Sequence, residues 1–364
     1  MHQDRAPSSG GTKLSAGARG ARLAGIAMIL GGIVAGLGAA GGWFSPGLLT
    51  PEKFVDGFEG ANGTHAGFRR NHAKGVCVAG RFESSGDAEA ICKATVFRKG
   101  VTEVVGRFAL AGGNPAAPDT LANVRSLALQ FKMSDGQEWR TGMNNIPVFP
   151  FATPQAFYDN LVASAPDPKT GKPDPAKGAA YLAAYPSTAT ALKVIGARLV
   201  TPGFEFDTYN SLNAFWMTNA AGQRTKVRWA MVPLQNVAAA GETGVNSPNA
   251  LFDGLAKAMH AGALKWSLVI TVGDAADQTS DATLAWPSGR RQIMAGTLTL
   301  DRIESEDTSP VRDVNFDPLI LPDGIAGSDD PLLSARSAVY SESFTRREGE
   351  KKTPSAVTPA EVAK

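Results

Sequence analysis

The string ARSAVYSESFTRR, Ala335 to Arg347, sets a phenol among cations. At about 100° per helical residue, Arg336, Tyr340 and Arg347 fall within about 40° of one another. One helix face then carries a tyrosine between two guanidiniums. A free phenol has a pKa of ~10 and must lose its proton to ligate a metal well; a nearby cation favours the phenolate. An amphipathic helix with surface arginines and a packing tyrosine offers the same face, and the string alone does not choose. His72 lies in FRRNHAKGVCVAGRFE, Phe68 to Glu83. An imidazole ordinarily titrates near neutrality and suits two-way proton transfer, but alone it reads as a surface or packing histidine. Asn144 and Asn145, in GMNNIPVFPF from Gly142 to Phe151, bring amides that hydrogen-bond a ligand without holding a competing proton.

Other chemistries lack their residues. There is no Cys-x-x-Cys pair for thiol redox or a zinc ribbon, and no Cys-x-x-Cys-His for covalent haem attachment. There is no Walker loop and no strand-linked G-x-G-x-x-G. The four histidines, His2, His65, His72 and His260, are too scattered for a local metal cluster. Cys77 and Cys92 could pair in an oxidising compartment, or serve as two small buried side chains. The net charge of +2 and the lack of a dense Lys/Arg stripe argue against nucleic acid as the main ligand.

These residues need elements to position them. The chain has 364 residues, 43% hydrophobic. Residues 1–22 are polar and Gly/Ser-rich, with Arg5, Lys13, Arg19 and Arg22, and read as a disordered cytoplasmic N-terminus. Leu23 to Phe44 holds no charge and closes on Trp43. It is about 22 residues long, which at ~1.5 Å per residue spans roughly 30 Å, one bilayer core. Cations lie only before it, so the expectation is a single-pass anchor in a bacterial inner membrane, with the rest of the chain on the periplasmic side. A cleaved signal peptide is the other reading.

Residues 45–348 read as one domain. Period-two alternation predicts strands at Gly75–Phe82, Lys226–Val232, Leu264–Val272 and Gln292–Leu300, with a hairpin turn at Asn219–Gly222. Helices are predicted over Pro154–Val162, Ala179–Ala184, Leu251–Met259 and Pro331–Arg347. The mixture suits an α+β arrangement, an antiparallel barrel with helices packed outside it. Residues 349–364 are charged and contain Pro and Ala, and are expected to form a flexible tail.

Taken in order, FRRNHAKGVCVAGRFE, GRFALAGGNPAAPDTLANVRSLALQF (Gly106 to Phe131), GMNNIPVFPF and the Arg336-to-Tyr340 helix resemble the catalase family over roughly residues 50–348. The resemblance implies a catalase-like barrel binding one non-covalent haem b. It implies Tyr340 as the axial ligand of the haem iron, with Arg336 beside it. It assigns His72 as the acid–base that moves a proton from one peroxide oxygen to the other, and Asn144 as the distal amide. Arg69, Arg107 and Arg347 match the positions that serve the haem propionates, and Phe157 matches a phenylalanine packed on the haem face.

The chain also departs from the family. It ends soon after the Tyr340 helix, and the long N-terminal arm is replaced by the apolar segment, which leaves the oligomeric state open. Asn123 stands where catalases usually carry a channel aspartate, Pro150 replaces the second phenylalanine of a distal pair, and Asn71 takes a place often held by valine. These changes resemble the minimal catalase-related peroxidases. They lead us to expect a peroxidase that draws on a small-molecule reductant and has weak or no catalase activity.

Overall fold

The computed structural model describes residues 48–120, 124–236 and 247–359, with a few isolated positions between 17 and 32. From Pro51 onward the chain forms one unit. Its strands are β1 (Gly75–Ser84), β2 (Gly100–Leu110), β3 (Arg125–Lys132), β4 (Glu138–Asn144), β5 (Tyr209–Asn210), β6 (Phe215–Thr218), β7 (Arg224–Pro233), β8 (Leu264–Val272), β9 (Gln292–Glu304) and β10 (Ile325–Gly327). Every pairing is antiparallel. The order β5-β4-β3-β2-β1-β9-β8 closes through β7, which pairs with both β5 and β8, into an eight-stranded barrel. Strand β6 also lies along β7, and β10 lies along β6. Closure leaves no sheet edge among the eight.

The alternation that predicts the strands also fills the barrel. Val76, Val78 and Phe82 of β1, Phe108 of β2, Leu127, Leu129 and Phe131 of β3, and Trp266 of β8 are buried in one core. Trp139 of β4 stacks on Phe131 at 4.7 Å and meets the edge of Trp229 at 5.1 Å. Such aromatic pairs contribute about 0.5–1.5 kcal/mol beyond their burial.

The helices are α1 (Pro51–Asn62), α2 (Pro154–Ser164), α3 (Pro175–Ala184), α4 (Pro186–Gly196), α5 (Ala250–Ala261) and α6 (Pro331–Glu348). Three share a start signal, an oxygen-bearing cap followed by proline. Thr153 accepts from the Ala156 N–H, Asp174 from Ala176 and Asp330 from Leu332. The cap satisfies an orphan donor, and proline at the first position loses nothing by lacking one. Helices α2, α3, α5 and α6 and strands β1, β7, β8 and β9 fall where the sequence predicts them, with the Asn219–Gly222 turn joining β6 to β7. Helices α1 and α4 are additional.

One expectation changes. Residues 349–359 do not run loose. Glu350 pairs with Arg70, the Arg312 guanidinium donates to the Thr353 carbonyl at 2.6 Å, and Val357 is buried at 3% exposure. The tail's charges, which suggested solvation, find partners on the barrel. Cys77 and Cys92 are both buried free thiols, and burial pushes each up to about 11. Leu23–Phe44 lies outside the described residues apart from isolated positions; among those described, no helix is long and apolar enough to cross a membrane.

Candidate active site

The site lies on the outer wall of the barrel. Side chains alternate along a strand, so the neighbours of Phe108, Leu127 and Met143, which face inward, face outward. Register aligns them in two rows. Ala109, Ser126 and Asn144 lie side by side, as do Arg107, Ala128 and Gly142. Most are small, and together they make a shallow floor to a cavity of about 1240 Å³ of empty space, part of it open to solvent. The eight residues to which the family resemblance assigns roles all line this cavity: His72, Asn144, Arg69, Arg107, Phe157, Arg336, Tyr340 and Arg347. Of the two asparagines, Asn144 faces the cavity. The Asn145 side chain instead accepts from the Arg125 N–H at 2.9 Å.

Helix α6 brings Tyr340 against this floor. Its ring packs with Val314 and Ala128 against the cluster of Cys77, Val105 and Phe316. Both Tyr340 and Arg336 reach the Gly142 position, where a Cβ would lie in ordinary contact at 3.6 Å from the Tyr340 hydroxyl and 3.4 Å from Arg336 Nη2. The Arg336 guanidinium lies 5.9 Å from the Tyr340 ring centroid. It donates to Asn213 Oδ1 and, at 3.3 Å, to the Gly142 carbonyl. The cation beside the phenol is therefore fixed in place.

His72 comes from the loop before β1 and has a φ of +57°. Its Nδ1 lies 3.2 Å from Ser126 Oγ. Burial, then the positive charges of Arg107, Arg336 and Arg69, push the imidazole down to about 3. This corrects the near-neutral value expected of an isolated histidine. The depressed pKa keeps the ring neutral, able to accept a proton, until the pH falls toward about 3. The second-order rate with peroxide should thus stay level from pH 8 down to about 5, with no half-point near the ordinary imidazole value of ~6.5. A stopped-flow pH profile that titrates near 6.5 would contradict this.

Positive charge crowds one end of the cavity. Glu306 Oε1 pairs with Arg69 at 3.1 Å and Arg107 at 2.7 Å. Burial raises the Glu306 carboxyl, but Arg107, Arg69 and Arg312 outweigh it and hold the group below its usual range. Arg69 is pushed down to about 9 by burial and by the charges of Arg107 and Arg347. Arg347 is 4% exposed, and its Nε has no hydrogen-bond partner. A buried donor without a partner is costly, and the excess of cations over one carboxylate calls for anions. The two propionates of a haem fit that demand, the small-residue floor fits a flat macrocycle, and a phenol beside a guanidinium fits ferric iron. Arg107 is the most committed of the cations. Its N–H groups also hold the His72 carbonyl at 2.7 Å and the Ala73 carbonyl at 3.0 Å.

Phe157 of α2 stacks on Phe151 at 4.5 Å and meets the edges of Phe54, Phe58 and Phe149, an aromatic wall to which α1 contributes two rings. Asn123 lies outside the described residues. Sequence reasoning missed Ser126 and Glu306. Alternation in β3 could have shown Ser126 facing opposite to Leu127. Glu306 carries no local signal, being 199 positions from Arg107.

Comparison with known proteins gives consistent matches. The catalase family model matches residues 44–357. A catalase-related peroxidase of Synechococcus elongatus is 36% identical over 324 residues, covering 88% of this chain and 96% of the relative. One of Mycolicibacterium paratuberculosis is 30% identical over 306 residues, covering 83% and 96%. Among solved structures, catalase A from Saccharomyces cerevisiae matches with a TM-score of 0.68 at 22% identity, over 78% of this chain and 61% of its own length. That last likeness concerns the fold.

Proposed function

The chain belongs to the catalase family, and we propose that within it this protein is a haem b peroxidase, reducing hydrogen peroxide or an organic peroxide at the expense of a small-molecule reductant. It is a peroxide-acting oxidoreductase, as its near-full-length relatives are catalase-related peroxidases. One observation carries the site assignment: a single cavity holds His72 and Asn144 together with Arg336 and Tyr340, over a floor of small residues.

Haem, when bound, supplies a redox-active iron at which the peroxide O–O bond is split. Tyr340 would hold that iron through its phenolic oxygen, and the Arg336 guanidinium beside the ring would supply the compensating positive charge. Arg69, Arg107 and Arg347 balance the propionate charges. His72 would accept the proton of one peroxide oxygen and deliver it to the other, while the small-molecule reductant supplies the two electrons and two protons that turn hydrogen peroxide into two waters. Ser126 engages Nδ1 with its hydroxyl, which leaves Nε2 for the substrate. The Asn144 amide holds the peroxide by hydrogen bonding.

Preference for a reductant is supported by the names of the relatives and by the altered distal wall, where Pro150 is followed by Phe151 stacked on Phe157. The test compares oxygen release from hydrogen peroxide with peroxide consumption in the presence of an electron donor. Donor-dependent turnover should exceed oxygen release by about tenfold or more. Rapid oxygen release to which donors add nothing would make the protein a small catalase.

We also propose that Leu23–Phe44 anchors the enzyme with its catalytic body on the periplasmic side of an inner membrane. Support comes from the charge-free length and from Arg5, Lys13, Arg19 and Arg22 lying before it. A reporter fused after Arg347 should be active only outside the cytoplasm, and cytoplasmic activity would reverse the topology.

A further inference from the structure

Among the described residues, only His72 and Leu212 combine a side chain with a positive φ. Residues other than glycine enter that region rarely, and they stay there only when their surroundings over-determine the backbone. Around His72 the restraints can be named. On the carbonyl side, Arg107 holds the His72 and Ala73 oxygens at 2.7 and 3.0 Å, and is itself gripped by both oxygens of Glu306. The Ala73 N–H donates to the Gly112 carbonyl at 2.9 Å. On the amide side the restraint is one atom, Asn71 Oδ1. It accepts the His72 N–H at 2.9 Å and the Gly112 N–H at 2.8 Å.

We infer that Asn71 is a positioning residue for His72: its carboxamide oxygen clips the amide before the imidazole to the loop after β2, and so aims the ring along Ser126 and over the barrel floor. The valine often found here in the catalase resemblance has no acceptor and could not make this clip. An acceptor reaching two backbone N–H groups at once needs a short polar side chain with two free lone pairs, which the asparagine or aspartate oxygen supplies. Asn71 also lines the cavity, so loss of the clip would act where peroxide must be met. The inference rests on His72 being the acid–base group.

The test uses the haem-loaded full chain. Asn71→Val should slow the reaction with hydrogen peroxide between about 10- and 100-fold, the scale of a displaced reacting group. Its haem content and Soret maximum should match the unaltered protein. Asn71→Asp keeps the acceptor oxygen and should stay within about threefold of the unaltered rate. The second readout is amide hydrogen exchange, resolved at His72 and Gly112. Both amides should exchange slowly in the unaltered protein and in Asn71→Asp, and faster in Asn71→Val. An unaltered rate in Asn71→Val, equal losses in both variants, or fast exchange at these amides in the unaltered protein would each overturn the inference. Failure of the underlying reading looks different. There His72→Ala itself would react at the unaltered rate.

Discussion

Replacing His72 by alanine should slow the reaction of the haem-loaded enzyme with hydrogen peroxide by about 10²–10⁴-fold, the usual worth of positioned acid–base help. The argument is geometric. Burial, then the charges of Arg107, Arg336 and Arg69, keep the ring neutral, and Ser126 addresses one of its nitrogens. Alanine removes the only imidazole that lines the cavity among the described residues. It leaves the Arg107 and Asn71 contacts to the backbone, which do not depend on the ring. Haem content should therefore stay near one per chain, because the cations and the phenol lie elsewhere in the cavity. Stopped-flow mixing, followed at the Soret band, reads the rate, and pyridine extraction reads the haem. A His72→Ala enzyme that reacts as fast as the unaltered one would remove the distal assignment.

Much of this site was legible in sequence, for a physical reason. Arg336, Tyr340 and Arg347 share a face because helical periodicity is local, and α6 delivers all three to one cavity. Strand alternation likewise anticipated β1, β7, β8 and β9, although burial alternates strictly only along β7, at Val227, Trp229 and Met231, while Gly75–Ala79 of β1 and Trp266–Ile270 of β8 are covered on both faces. What escaped depends on register and long-range pairing. Ser126 meets His72 because β3 pairs with β2 and the loop before β1 folds over both. Glu306 reaches Arg69 and Arg107 from just beyond the end of β9. The tail looked unstructured by composition, yet Glu350 answers Arg70, whose partners could not be found without the fold. The strained backbone at His72 was invisible too, since nothing in Asn-His-Ala specifies a positive φ without Gly112 and Arg107 nearby.

Tyr340→Phe should abolish the native visible spectrum and lower haem retention through gel filtration by about tenfold or more, a change equivalent to ~1.4 kcal/mol or more of lost binding. Phenylalanine keeps the ring that packs with Ala128 and Val314, so the fold has little reason to respond. It deletes the phenolic oxygen proposed to hold the iron, and it leaves Arg336 without that oxygen beside it. The arginines around Glu306 remain, so weak residual binding through the propionates is expected, with an altered Soret band. Haem in the unaltered protein should come away completely in acidified acetone, since no cysteine is placed to attach it: Cys77 and Cys92 are buried, and neither belongs to an attachment motif. The measurements are the visible spectrum, haem per chain after gel filtration, and thermal unfolding of both proteins without haem. A Tyr340→Phe protein with an unchanged spectrum would show that iron is held by another group. One that unfolds much earlier than the unaltered protein in the absence of haem would show the tyrosine to be chiefly a packing residue.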